Sequence, residues 1–159
     1  MVLTKKGNFV DLSSDKKKLF EEFLEFLENK KNLSEVNIPI SIFDNTELSA
    51  LEAIVKYLKE NVEFNFHEIA EKLNRDDRTI WSTYKNSQKK LLKNFIISDS
   101  KYFIPISQFT NRKLGVLESI CIYLKESYGL TFHQIAVLLN RNDRTIWSSY
   151  NKAKGKIGK

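Results

Sequence analysis

The stretch Ile69-Ala70-Glu71-Lys72-Leu73-Asn74-Arg75-Asp76-Asp77-Arg78-Thr79-Ile80-Trp81-Ser82-Thr83-Tyr84 returns as Ile135-Ala136-Val137-Leu138-Leu139-Asn140-Arg141-Asn142-Asp143-Arg144-Thr145-Ile146-Trp147-Ser148-Ser149-Tyr150. The register has no gap. From Pro39 and Pro105 down to Lys90 and Lys156 the offset stays at 66, and 28 of the 52 paired positions are identical. This is an internal duplication. A solenoid needs at least about three units to bury a continuous core, so two copies predict two similar small domains in tandem, residues 37–94 and 95–159, after an N-terminal segment of residues 1–36.

Each copy carries three runs of helical periodicity. Leu48, Leu51, Ile54, Val55 and Leu58 recur at helical spacing, matched by Leu114, Leu117, Ile120, Cys121 and Leu124. Asp44 with Glu47 offers a capping box ahead of the first run. A second helix is expected from about Phe66 or Phe132, stopping at Asn74 or Asn140, because asparagine tolerates the left-handed conformation of a tight turn. Asp76 and Asn142 are good N-caps for a third helix. Ahead of each copy, Val36 to Phe43 and Tyr102 to Phe109 are apolar, β-prone and interrupted by proline, which predicts short edge strands or extended arms. Phe95-Ile96-Ile97-Ser98 and Lys101-Tyr102-Phe103-Ile104 flank Asp99-Ser100, the pattern of a small hairpin.

Residues 13–31 read as one amphipathic helix capped by Ser13 or Ser14, with Leu19, Phe20, Phe23, Leu24, Phe26 and Leu27 on one broad face. At 100° per residue that face spans roughly 160°, wider than a two-stranded coiled-coil seam. It must be covered, by the repeats or by a second copy of the chain, and a homodimer through this helix is the expectation. The fold class is therefore mainly α: two tandem three-helix domains with short extended or hairpin segments before each, plus the N-terminal helix.

The spacing within each copy carries a specific meaning. Where two helices cross closely, the second needs an alanine, the turn a left-handed residue, and the third helix a branched apolar residue facing the crossing. Ala70, Asn74 and Ile80, and Ala136, Asn140 and Ile146, hold those places at helix-turn-helix offsets. These residues resemble the helix-turn-helix of region four of the bacterial sigma factors and its stand-alone prokaryotic relatives, over about 45 residues in each repeat and none of residues 1–35. Asparagine stands where that family usually has glycine at the turn. The resemblance implies a three-helix domain whose last helix enters the major groove of DNA.

Charge and angle select the candidate contacts. Lys and Arg against Asp and Glu number 7 against 7 over residues 1–38, 9 against 9 over 39–98 and 10 against 4 over 99–159, so the excess of +6 lies in the second copy. With Ile80 facing the core, Arg78, Ser82, Lys85 and Lys89 point outward, and Arg75 lies at the turn. The second copy presents Arg141, Arg144, Thr145, Ser148, Asn151, Lys152 and Lys154, with His133 at the start of its second helix. Arginine can donate a bidentate pair to guanine, and serine or asparagine can bond base edges or phosphates. Trp81 and Trp147, at about 100° from the core direction, are expected to pack on the first helix instead of lying on DNA. Tyr84 and Tyr150 read as core.

Double-stranded DNA is thus the expected partner, for a transcription regulator or nucleoid-associated factor. The alternative is a protein-interaction adaptor docking on transcription machinery. No nucleophile and base pair, glycine-rich phosphate loop or metal constellation is legible, so no enzyme, cofactor or metal site is expected. Cys121 is the only cysteine and excludes an internal disulfide. No apolar run approaches the roughly 20 residues a membrane span needs, and the N-terminus lacks a signal-peptide core, so a cytoplasmic, nucleoid-associated protein without a membrane partner is expected.

Overall fold

The computed structural model of the chain describes residues 2–3, 9–10, 13–33, 35–97 and 99–158. It is mainly helical and falls into two compact units, Met1–Glu35 and Val36–Lys159. In the first unit, β1 (Val2–Leu3) pairs antiparallel with β2 (Phe9–Val10), Val2 opposite Val10 and Leu3 opposite Phe9. The helix α1 (Ser14–Leu33) follows. Leu19, Phe20, Phe23, Leu24, Phe26 and Leu27 are all exposed on it. No helix among the described residues is long and apolar enough to cross a membrane.

The second unit contains both copies. The first runs β3 (Asn37–Pro39), a 3-10 turn (Ile40–Phe43), α2 (Ala50–Glu60), α3 (Phe66–Leu73) and α4 (Asp77–Lys90). The second repeats this order as β4 (Phe103–Pro105), a 3-10 turn (Ile106–Phe109), α5 (Val116–Ser127), α6 (Phe132–Leu139) and α7 (Asp143–Ile157). Local sequence explains the boundaries. The Ser49 hydroxyl caps α2 by accepting from Glu52 N–H, and Glu52 Oε2 accepts in return from Ser49 N–H. The capping box expected at Asp44 and Glu47 is therefore displaced to Ser49 and Glu52. Asn45 occupies the earlier stretch, bonding Ile42 O and Leu48 N–H. Asn65 and Thr131 cap α3 and α6 in the same reciprocal way.

Asn74 and Asn140 end α3 and α6 at φ 52° and 50°, as their sequence position predicts. Each donates its N–H back to the preceding turn, and the next residue does the same, Arg75 to Ala70 O and Arg141 to Ala136 O. Side-chain caps then restart the chain at once: Asp76 on Thr79 N–H and Asn142 on Thr145 N–H, both at 2.8 Å. The turn is fixed by these bonds at both ends, which holds α4 against α3 and α7 against α6.

The two copies do not close separate cores. β3 and β4 pair with each other, Asn37 opposite Pro105, Ile38 opposite Ile104 and Pro39 opposite Phe103. Under the 66-residue offset Ile38 and Ile104 are the same position, and the outer two pairs exchange with one another. An approximate two-fold axis passing between Ile38 and Ile104 generates such a register. The next bonds repeat the symmetry: Ile40 N–H donates to Tyr102 O at 3.1 Å and Ile106 N–H to Val36 O at 2.8 Å. Beyond the strands each arm crosses over. Ile40–Phe43 packs on α6 as well as α2, and Ile106–Phe109 on α3 as well as α5. Ile38, Ile54, Ile69 and Ile80 of one copy thus share a continuous core with Ile104, Ile120, Ile135 and Ile146 of the other.

This exchange replaces the hairpin expected around Asp99-Ser100. Phe95, Ile96 and Ile97 form no strand, and β4 takes β3 as its partner; Ser98 lies outside the described residues. The reason is chemical. Asp-Ser is a weak turn signal, whereas crossing to the other copy buries Ile104 completely and Ile106 almost so.

Candidate nucleic-acid interface

On α4, Ile80 and Ser87 face the core and are fully buried. At 100° per residue, Arg78, Trp81, Ser82, Lys85 and Lys89 then fall within an arc of about 100° on the far side. All five are exposed. The equivalent face of α7 carries Arg144, Trp147, Ser148 and Asn151, with Lys152 at its edge; Ser148 is half-buried and the others are exposed. Ala153 turns inward and is fully buried. Among the described residues Arg78, Arg144 and Lys89 make no ion pair, which leaves their donors to solvent or a ligand.

The tryptophans correct the sequence reading. Trp81 is 50% and Trp147 57% exposed, so neither is packed into the interior. Lys85 Nζ sits 5.8 Å from the Trp81 ring centroid, at the outer limit of a cation–π contact. The signal that places them was present in the spacing: three residues beyond Arg78 or Arg144 lies on the same helical face. Tyr84 and Tyr150 are half-buried. Each packs on the phenylalanine that opens its copy's second helix, at 5.5 Å for Phe66 and 5.3 Å for Phe132.

Six of the expected contact residues bond within the protein. The Arg141 guanidinium donates to Asn45 O at 2.7 Å and Leu48 O at 3.3 Å, and also reaches Leu139 O and Asn140 O. It clamps the second copy's turn onto the first copy's arm and is not a free cation for DNA. Lys154 bonds Glu126 at 2.8 Å, which raises its own pKa and lowers that of the carboxylate. Thr145 Oγ1 is 2.9 Å from Asn142 Oδ1, within the cap of α7. His133 Nδ1 lies 3.1 Å from Asp143 Oδ2, bracing the start of α6 against that of α7. In the first copy His67 stands in the same place 3.1 Å from Asp77, with Glu71 at 3.3 Å, and the Asp77 hydrogen bond raises its pKa. Ser82 and Asn151 bond backbone carbonyls of their own helices, at Thr79 and Trp147. Asn151 thereby spends one amide hydrogen and keeps the other and its carbonyl oxygen.

Arg75 behaves differently from its counterpart. Its Nε is buried without a hydrogen-bond partner. Burial, and then the neighbouring Arg112, lower its pKa. Arg112 follows the crossing arm of the second copy by three residues, so the exchange carries positive charge to the first copy's turn. Arg75 and Arg141 share a groove that straddles the pseudo-dyad. It is lined by the equivalent pairs Ser49 and Gly115, Ala50 and Val116, Leu51 and Leu117, and Arg75 and Arg141, together with Glu118 of α5 and Ser149 and Lys152 of α7.

No thiol chemistry competes for this surface, because Cys121 is fully buried and burial pushes its pKa up to about 12. Against families of proteins, curated proteins and solved structures, the chain shows no match.

Proposed function

We propose that this protein binds double-stranded DNA through α4 and α7, each the last helix of a sigma-region-four-like helix-turn-helix, and acts as a transcription regulator or nucleoid-associated factor. The observation that carries the reading is the outward stripe on both helices, exposed Arg78, Ser82 and Lys85 on one and exposed Arg144 and Asn151 with half-buried Ser148 on the other. Each stripe follows a turn fixed by a left-handed asparagine. A helix projecting cations and short polar side chains suits phosphate positioning and base-edge contact in a major groove. The shared core makes the two helices one preassembled pair, so their spacing is set before DNA arrives, and binding avoids the cost of ordering two separate modules.

A second reading, a protein-docking adaptor, draws on the exposed Trp81 and Trp147, since tryptophan is enriched at protein interfaces. A mobility-shift series with unrelated duplexes at two salt concentrations separates the two. DNA binding predicts an affinity that falls steeply with salt as counterions are released, whereas unchanged affinity, or no shift at low salt, leaves the adaptor.

A further inference from the structure

We propose that the duplex recognised by this chain is an imperfect inverted repeat, whose two half-sites are told apart by Lys85 in one reader and Asn151 in the other. The inference rests on α4 and α7 being the groove-entering helices. It starts from the strand register, which is symmetric about Ile38 and Ile104, so one reader maps onto the other by an approximate two-fold rotation and not by a translation. Arg75 and Arg141, at the turns that lead into α4 and α7, line one groove built of residue pairs equivalent under the 66-residue offset, which brings the start of both readers toward the dyad. A duplex has two-fold axes of its own. An object with a two-fold axis engages two successive major grooves equivalently when the axes coincide, and the half-sites it then reads are inverted. A translational tandem would read a direct repeat.

The two readers share part of their outward surface. Arg78, Trp81 and Ser82 recur as Arg144, Trp147 and Ser148, so part of each half-site is expected in common. One turn further on, Lys85 is replaced by Asn151, and both are exposed. Lysine offers only donors and suits guanine O6 and N7, or a phosphate. Asparagine offers a donor and an acceptor together, the pattern that pairs with adenine N6 and N7. One amide hydrogen and the carbonyl oxygen of Asn151 remain for that pairing.

The test is enrichment of binding sites from a random-sequence duplex pool by the full chain, as wild type and as Lys85→Asn. Wild type is expected to enrich two inverted half-sites that agree at one end and differ at one position, and to bind that site roughly tenfold more tightly than either symmetrised version. Lys85→Asn is expected to enrich a site whose two half-sites agree at that position and to lose the tenfold preference, with an unchanged helical circular dichroism spectrum. A direct repeat, a lone half-site, binding without sequence enrichment, or an asymmetric site unmoved by Lys85→Asn each overturns the inference while DNA binding stands. Absence of any shift at low salt overturns the DNA reading itself, and this inference with it.

Discussion

The two copies solve the same packing problems with different charges. In the first, Glu60 is neutralised from within its own helix: Lys56 is fully buried and reaches both carboxylate oxygens, at 2.9 and 2.7 Å, while Tyr84 donates to Glu60 at 3.1 Å. In the second, the equivalent carboxylate Glu126 keeps its tyrosine, Tyr150, at 3.2 Å, but Ile122 stands in place of Lys56 and the cation comes from Lys154 on α7. The first copy answers at Lys154's position with Gln88, which bonds Tyr84. The duplication has thus moved one positive charge from a buried site on the first helix to an exposed site on the last. The clamp differs likewise: Arg141 bonds two carbonyls of the other copy, whereas Arg75 has a buried Nε with no partner and a like charge nearby. A two-fold fold can hold two unequal interfaces when the polar contacts diverge around a shared apolar core.

The largest stability effect should come from the clamp. Arg141→Ala removes charge-assisted bonds to Asn45 O and Leu48 O and is expected to cost about 2 kcal/mol in denaturant unfolding. Arg75→Ala should stay within about 0.5 kcal/mol of wild type, since it removes a poorly satisfied cation. Equal losses would mean that the asymmetry of the clamp has no energetic meaning. The charge transfer gives a somewhat smaller effect. Lys56→Ile leaves Glu60, whose side chain is 11% exposed, with only the Tyr84 hydrogen bond, and should cost about 1–2 kcal/mol. Adding Gln88→Lys to Lys56→Ile installs the second copy's arrangement and should recover most of that loss. A double variant no better than Lys56→Ile alone would show that the two solutions are not interchangeable.

Much of this molecule was legible from local rules. The helices, the left-handed asparagines and the caps at Asp76 and Asn142 follow from spacing and side-chain chemistry that act within a few residues. The exchange of arms did not, because Val36 to Phe43 and Tyr102 to Phe109 carry the same extended, proline-broken pattern whether they pair with each other or fold back. Nothing within either segment names its partner. The exchange also reassigns residues at the site. Arg141, read as a cation facing DNA, meets the carbonyls that the other copy's arm brings to it. Arg112 adds charge to the turn of the copy that sequence counting makes neutral. Trp81 was within reach of the helical angle and was misplaced by the general preference of indoles for packed surroundings.

Comparing Arg78→Ala, Arg144→Ala and the double variant for affinity to one duplex at low salt tests the central claim, because these two exposed arginines occupy equivalent positions and make no ion pair among the described residues. The Arg144 change should cost about tenfold, and the Arg78 change less, since residues 99–159 hold the positive excess of 10 against 4 while residues 39–98 balance at 9 against 9. The double variant should lose more than either. Three variants binding as wild type would contradict the placement of α4 and α7 on DNA, and a larger loss from Arg78→Ala than from Arg144→Ala would contradict the dominance of the second copy.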